Sequence, residues 1–253
     1  MISTRIAGLV TASALAAVLL AACGAAGGSA SDPDIPPPPS PDPYTSALIM
    51  TRTWAAAEIQ TSVDSSIDGV VQQLRGVGEV AIDKGYADLT WTGVGSTFRE
   101  LVNDRAIFTQ PEGPSSVWVR TESEGRTATS AFADPLVNLT RVEGVLRDGN
   151  EDMNGYSAEK YRGTLPITAQ NLEGLGLTDD DVATIVDAAS PLDVVLVRVW
   201  ADPNHRLVRI ERSIDLGDGS AIDANVLAAT RLSNFGVMLD LESPPSSSVT
   251  VLQ

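Results

Sequence analysis

Period-two alternation in the closing part of the chain limits the fold to one built on a half-covered sheet. Val194 to Trp200, a turn at Ala201-Asp202-Pro203-Asn204-His205, and Arg206 to Asp215 read as a hairpin. Gly217-Asp218-Gly219 turns the chain into a further strand, Ala221 to Leu232. Beyond it, Phe235, Val237, Leu239 and Leu241 fall on one face of a last strand, with Gly236, Met238, Asp240 and Glu242 on the other. Strands that are apolar on one side only have one covered face and one wet face, the pattern of antiparallel sheet.

The same pattern recurs upstream in shorter pieces. Thr45 to Ala57 has Leu48, Ile49, Ala55 and Ala56 and no Pro or Gly, so it reads as an entry helix running into a strand at Glu58 to Val63. Gly78 to Asp83 follows, then a segment with Ala87, Leu89 and Trp91 on one face, then Phe98 to Val102, Arg105 to Thr109 and Val117 to Thr121. Lys84-Gly85, Asn103-Asp104 and Gln110-Pro111-Glu112-Gly113-Pro114 supply the turns of a meander. Asp134-Pro135 offers an N-cap and an N1 proline, and Leu136, Leu139, Val142, Val145 and Leu146 follow at helical spacing. Asp148-Gly149 and Asn154-Gly155 make two turns before a strand at Ser157 to Gly163. Thr178-Asp179-Asp180-Asp181 opens a second helix, striped by Val182, Ile185, Val186 and Ala189 and stopped by Pro191. Strands and helices in this order make an α+β protein.

Composition narrows the function. The 253 residues carry 33 acidic against 17 basic side chains, a net charge of −16, which offers no basic face to a nucleic acid. One cysteine forms no internal disulfide and builds no Cys-based metal cluster, and one histidine leaves little for a His-rich metal site. No cofactor or metal is expected.

The lone cysteine is informative because of its position. Arg5, an apolar stretch from Ile6 to Leu20, and Leu20-Ala21-Ala22-Cys23-Gly24 are the parts of a signal peptide, residues 1–22, too short for a comfortable bilayer span. Leu-Ala-Ala-Cys also resembles the bacterial lipobox, in which the cysteine is acylated and becomes the first residue. Cys23 is therefore expected to anchor the chain to the extracytoplasmic face of the cell membrane. Residues 23–43 form a tether: a Gly/Ser/Ala run, then Pro33, Pro36 to Pro39, Pro41 and Pro43, a semi-rigid polyproline spacer. Residues 44–253 are expected to form a single domain with a short polar C-terminal tail.

The order of lipobox, Pro-rich tether, entry helix, strand meander, RDGNEDMNGYSAEKYRGTLP, a helix beginning LTDDDV, and SPLDVVLVRVWADPNHRLVRIERSI resembles the actinobacterial lipoprotein family of LppX, LprA, LprF and LprG. The resemblance spans most of residues 44–245 and rests on pattern more than identity. It implies a LolA/LolB-like fold, a strongly curved antiparallel half-barrel wrapped around a layer of helices. It also implies a cell-envelope role, binding an acylated lipid or lipoglycan in an apolar cavity and carrying or presenting it, with an inner-membrane lipid transporter as partner. No enzymatic activity follows from it.

On that reading the candidate cavity lining is Leu136, Leu139, Val142, Val182, Ile185 and Val186 from helices, with Trp91, Phe98, Phe235, Val237 and Leu239 from strands. Ordinary core packing is the competing reading of each. The alternative function is a structural or adaptor lipoprotein with a filled core, acting through its acidic surface. Other motifs carry less. Asn150 to Gly155 looks like the opening of a calcium loop, but Tyr161 stands where the bidentate Glu belongs. Asp179 to Asp181 fit a helix N-terminus better than a cation site, and Asn138-Leu139-Thr140 sits in an apolar stretch. His205 lies in a turn with no Gly-x-Ser-x-Gly elbow to serve, and Gly93 to Ser96 is too short for a phosphate loop.

Overall fold

The computed structural model describes residues 41–251, apart from 94, 104–105, 114–116, 123–128, 154, 218–219 and 240. The signal peptide, Cys23 and most of the tether lie outside the described residues, as do turn positions Asp104, Pro114, Asn154, Asp218 and Gly219, strand residue Arg105 and Asp240. Helix α1 (Pro43–Arg52) leads into β1 (Ala57–Ile67), β2 (Val70–Ala81), β3 (Tyr86–Gly93), β4 (Ser96–Val102), β5 (Ala106–Pro111) and β6 (Trp118–Glu122). Next come β7 (Glu143–Met153), β8 (Tyr156–Pro166), helix α2 (Asp179–Ala188), β9 (Val194–Ala201), β10 (Leu207–Leu216), β11 (Ala224–Ser233) and β12 (Val249–Val251).

Among the described residues these twelve strands form one open sheet. β1 to β6 are neighbours in space in the order they have in sequence, and so are β7 to β11. The two meanders join where β1 pairs with β11, from Glu58 opposite Ser233 to Ile67 opposite Ala224. Pairing is antiparallel throughout except between β12 and β6. Hairpins with short connections account for most of this order, while β8 and β9 pair across the longer segment that carries α2.

Alternation decides which face turns inward. On β1, Ala57, Ile59, Thr61 and Val63 are buried while Glu58, Gln60, Ser62 and Asp64 face out. β11 alternates likewise, with Ala224, Val226, Ala228, Thr230 and Leu232 inside. The curved sheet holds a layer made of α1, α2 and the segments 129–142 and 168–177. That layer meets both meanders: Phe132 packs 5.4 Å from Trp91 of β3, while Arg212 of β10 donates to the carbonyls of Pro135 (3.1 Å) and Val137 (2.9 Å). Arg212 is fully enclosed, and burial lowers its pKa to about 10. Gly76 gives Trp91 its room, since a Cβ there would lie 2.8 Å from the indole ring.

Helix α2 begins where expected. The Thr178 hydroxyl accepts from the amide of Asp181 (3.2 Å), and the Asp181 carboxylate takes the Thr178 amide (3.2 Å), a reciprocal capping box. Four other expectations are corrected. The helix read over Leu136 to Leu146 is absent: two short 3₁₀ turns, Ser130–Ala133 and Leu139–Arg141, are followed at once by β7. Asn138 at φ 61° and Gly144 at φ 60° interrupt any continuous helix. Asp148-Gly149 is not a turn, since β7 runs through it with a shift of register between Arg147 and Asn150. The last strand read over Phe235 to Glu242 is not formed among the described residues: β11 ends at Ser233, and Asn234 (φ 49°) and Gly236 (φ 88°) take left-handed conformations. The entry helix is also shorter than read, stopping at Arg52.

The tail is less polar in effect than its sequence suggests. After β11 it packs Leu241 and Val249 onto Leu101, Ala106, Phe108 and Trp118, and β12 extends the sheet beside β6.

Candidate functional site

Helix α1 forms one wall of a largely apolar groove. Asp42 caps it, accepting from the Thr45 amide (3.0 Å) and the Thr45 hydroxyl (2.6 Å), and these bonds hold the Asp42 carboxyl below its ordinary pKa. Pro43 occupies the first turn and Arg52 the last, where a cation complements the helix dipole. One side of the helix is pinned to the core. The Tyr44 hydroxyl donates to the Leu139 carbonyl (2.7 Å), and the Thr51 hydroxyl accepts from the Leu207 amide (2.7 Å). Thr45, Leu48, Ile49 and Arg52, spaced three and four apart, face the groove.

The opposite wall comes from Thr140, Val142, Val145, Arg147 and Tyr161. The Tyr44 and Tyr161 rings meet at 6.2 Å, tilted by 59°. Tyr161 donates to Glu159 (2.6 Å), and Arg147 donates to the other oxygen of the same carboxylate (2.9 Å). Burial, followed by the hydrogen bond to Glu159, pushes the Tyr161 phenol up to about 12, and burial raises Tyr44 also. Both phenols therefore present neutral, ring-rich surface at neutral pH. The groove holds about 560 Å³, inside the range of about 300–1,000 Å³ usual for small-molecule sites. Ile49 is 51% exposed in it, an apolar side chain left to solvent beside Leu48 and Val145.

A second cavity of about 490 Å³ borders the C-terminal end of α1. Polar and charged groups dominate its walls: Arg52, Asp83, Lys84, Tyr86, Asn103 and Asp134 among them. Arg52 lines both spaces.

The residues named from sequence as cavity lining fall in three places. Trp91, Leu136, Leu139 and Ile185 are sealed in the core. Phe98, Val142, Val182, Val186 and Phe235 pack partly buried against it, and Val237 and Leu239 are half-buried in the irregular tail. Val142 is the member of that set that lines the groove. Tyr44, Leu48, Ile49, Val145 and Tyr161 were not named as lining. Leu48 and Ile49 carried a signal, two adjacent apolar residues on the entry helix, of which one face alone can be buried.

The remaining motifs have local duties. Asp181 is engaged in the α2 cap, and the Asp152 carboxylate accepts from the Gly155 amide (3.3 Å) in the β7–β8 turn. His205 sits at φ 58° in the β9–β10 turn, its amide donating to the Asp202 carbonyl (2.8 Å). Asn138 holds the Gln170 carbonyl through its side-chain amide (2.5 Å). Among the described residues, no group of three or more acidic, His or Cys side chains is placed to hold a metal, and no helix is long and apolar enough to cross a membrane.

No protein-family model matches the chain, and neither does any curated protein. The chain resembles the mycobacterial lipoproteins LprF and LppX in structure. LprF of Mycobacterium bovis aligns over 81% of this chain and 98% of its own at 15% identity, with a TM-score of 0.48. LppX of Mycobacterium tuberculosis aligns over 79% and 96% at 15% identity, with a TM-score of 0.46. A LolA-superfamily protein of Nitrosomonas europaea aligns over 81% and 96% at 10% identity, with a TM-score of 0.27. These likenesses concern the arrangement of the sheet and helices.

Proposed function

We propose that this protein is an envelope lipoprotein, anchored through Cys23, whose domain binds an acyl chain of a lipid in the groove between α1 and β7–β8 and carries or presents it. The groove itself is the observation that supports the reading: an open apolar trough of about 560 Å³ along a ten-residue helix, which at about 1.5 Å per residue is about 15 Å long. Its position also suits a tethered carrier, because Asp42 and Pro43, where the tether enters the domain, lie in its wall. Handing lipid onward needs a donor and an acceptor in the envelope, and an inner-membrane lipid transporter is the partner this reading calls for.

Native mass spectrometry of the gently extracted protein tests the reading, together with displacement of a fluorescent fatty acid. A co-purifying acylated lipid, and at least tenfold weaker fatty-acid binding by Ile49→Glu, are the expected results. A lipid-free protein that binds the probe equally with and without Ile49→Glu refutes it. The anchor has a separate test: Cys23→Ala should release the protein from the membrane fraction.

One observation favours a second reading, the adaptor with a filled interior. The space between sheet and helices is packed by Trp91, Phe132, Leu136, Leu139, Leu172 and Ile185, each at most 1% exposed. On that reading the fatty-acid probe is not bound at all, and the acidic surface carries the function.

A further inference from the structure

We infer that the polar cavity at the C-terminal end of α1 is the headgroup site of the groove, and that Arg52 and Lys84 there take an anionic group, phosphate or carboxylate, of an amphiphilic ligand. The inference rests on the groove binding an acyl chain. Its first support is spatial. Arg52 lines both the apolar groove and the polar cavity, so an amphiphile whose chain lies along α1 arrives at the cavity with its polar end.

The second support is charge. In a chain with 33 acids and 17 bases, a surface cation has carboxylates to choose from, and most find one. Arg75 pairs with Asp64 (2.8 Å), Arg99 with Asp88 (2.5 Å), Arg147 with Glu159 (2.9 Å) and Arg206 with Asp202 (2.6 Å). Neither Arg52 nor Lys84 has an ion-pair partner among the described residues, although both are exposed and border the same cavity. Two cations without ion-pair partners at one cavity give an anion a point of attachment in a protein whose surface otherwise repels it. Asp83 and Asp134 also line the cavity. Asp134 is engaged elsewhere: its carboxylate accepts the Leu136 amide (3.1 Å) and stabilises the charge of buried Arg212. Asp83 stands beside Lys84 without closing an ion pair. It leaves the site able to accept from a donor group on the same ligand.

The third support is chemical fit. A guanidinium offers a fork of donors matched to phosphate or carboxylate, and an ammonium adds a flexible point charge. The cavity volume of about 490 Å³ is ample for such a headgroup.

Titration calorimetry with the mature chain carrying Cys23→Ser separates the possibilities. The probes are monododecyl phosphate, the neutral amphiphile dodecyl maltoside, and inorganic phosphate, all below micelle formation. The mature chain should bind dodecyl phosphate more tightly than dodecyl maltoside. Lys84→Gln should weaken the phosphate by about tenfold and leave the maltoside unchanged; Arg52→Gln should weaken the phosphate by about tenfold and the maltoside by much less, since Arg52 also borders the groove. Equal binding of the two amphiphiles, unmoved by either variant, overturns the headgroup site and leaves the groove reading standing. Inorganic phosphate competing as strongly as dodecyl phosphate binds also overturns it, since the cavity then takes free anions. No binding of either amphiphile removes the groove reading, and the inference falls with it.

Discussion

Leu139→Ala and Ile49→Ala, compared in one experiment, decide whether the interior of the half-barrel or its flank is the place for a ligand. Leu139 has no accessible surface, whereas Ile49 is 51% exposed in the groove. Truncating Leu139 removes apolar atoms from a region where Tyr44, Leu136 and Leu172 are also buried, and the backbone cannot follow, because the Leu139 carbonyl accepts the Tyr44 hydroxyl at 2.7 Å. A buried Leu→Ala change costs about 2–5 kcal/mol, the spread reflecting how far the void collapses. With the site pinned, about 3 kcal/mol or more is expected. In a domain of this size each kcal/mol moves the melting temperature by about 2–4 °C, so the midpoint should fall by about 6–12 °C. Ile49→Ala should cost less than about 0.5 kcal/mol, as exposed substitutions do, yet weaken fatty-acid binding severalfold. Thermal and urea unfolding of the mature chain supply the stabilities, and probe displacement supplies the affinities. If Leu139→Ala costs under about 1 kcal/mol and weakens binding while Ile49→Ala changes nothing, the interior is hollow and the groove is not the site.

Three further outcomes follow from the fold. Gly78→Ala should prevent normal folding or cost several kcal/mol, because the added Cβ would lie 1.9 Å from the Asp88 carbonyl oxygen of the paired strand; soluble yield and melting temperature report it. Thr178→Ala removes the α2 capping box and should cost about 1 kcal/mol, lowering the midpoint by about 2–4 °C, with Thr178→Ser restoring it. Tyr161 is an acid whose folded pKa of about 12 exceeds the ordinary value of 10.0. Its contribution to stability is therefore complete below pH 10 and lost as pH rises towards 12; Tyr161→Phe should flatten the alkaline decline followed by unfolding at stepped pH, and remove one high-pKa tyrosinate from the ultraviolet titration.

Some of this architecture is written locally in the chain, and those parts were legible. Val195, Val197 and Val199 of β9 and Ile210, Arg212, Ile214 and Leu216 of β10 are buried at every second position, so the period marks which side faces the core. The start of α2 was legible because Thr178 and Asp181 satisfy each other across three residues, an interaction that needs no tertiary partner. The segment from Leu136 to Leu146 misled for a physical reason. Val142 and Val145 are three apart, as on a helix face, yet they share one groove wall because Gly144 at φ 60° introduces an irregularity where β7 begins. A bulge can thus imitate helical spacing, and only the left-handed conformations of Asn138 and Gly144 distinguish the two.

The candidate site is harder to read than the fold because its parts are remote in sequence and unremarkable alone. Leu48 and Ile49 belong to an entry helix, Val145 and Tyr161 to two strands about a hundred residues further on, and Lys84 to a turn between β2 and β3. Periodicity ranks residues by burial, and so it selected Trp91, Leu136, Leu139 and Ile185, the side chains that fill the core. A groove that must stay open is built from the opposite class, apolar residues left incompletely covered, such as Ile49 on the far side of a helix whose Tyr44 and Ala47 are sealed. Charge gives the complementary signal: where acids outnumber bases almost two to one, Arg52 and Lys84 border one cavity without an ion-pair partner among the described residues. Arg52 belongs to both classes of observation, since it ends the apolar wall and is itself unpaired. Lys84, which lines the polar cavity and not the groove, is therefore the residue whose change to Gln should separate recognition of the headgroup from retention of the chain.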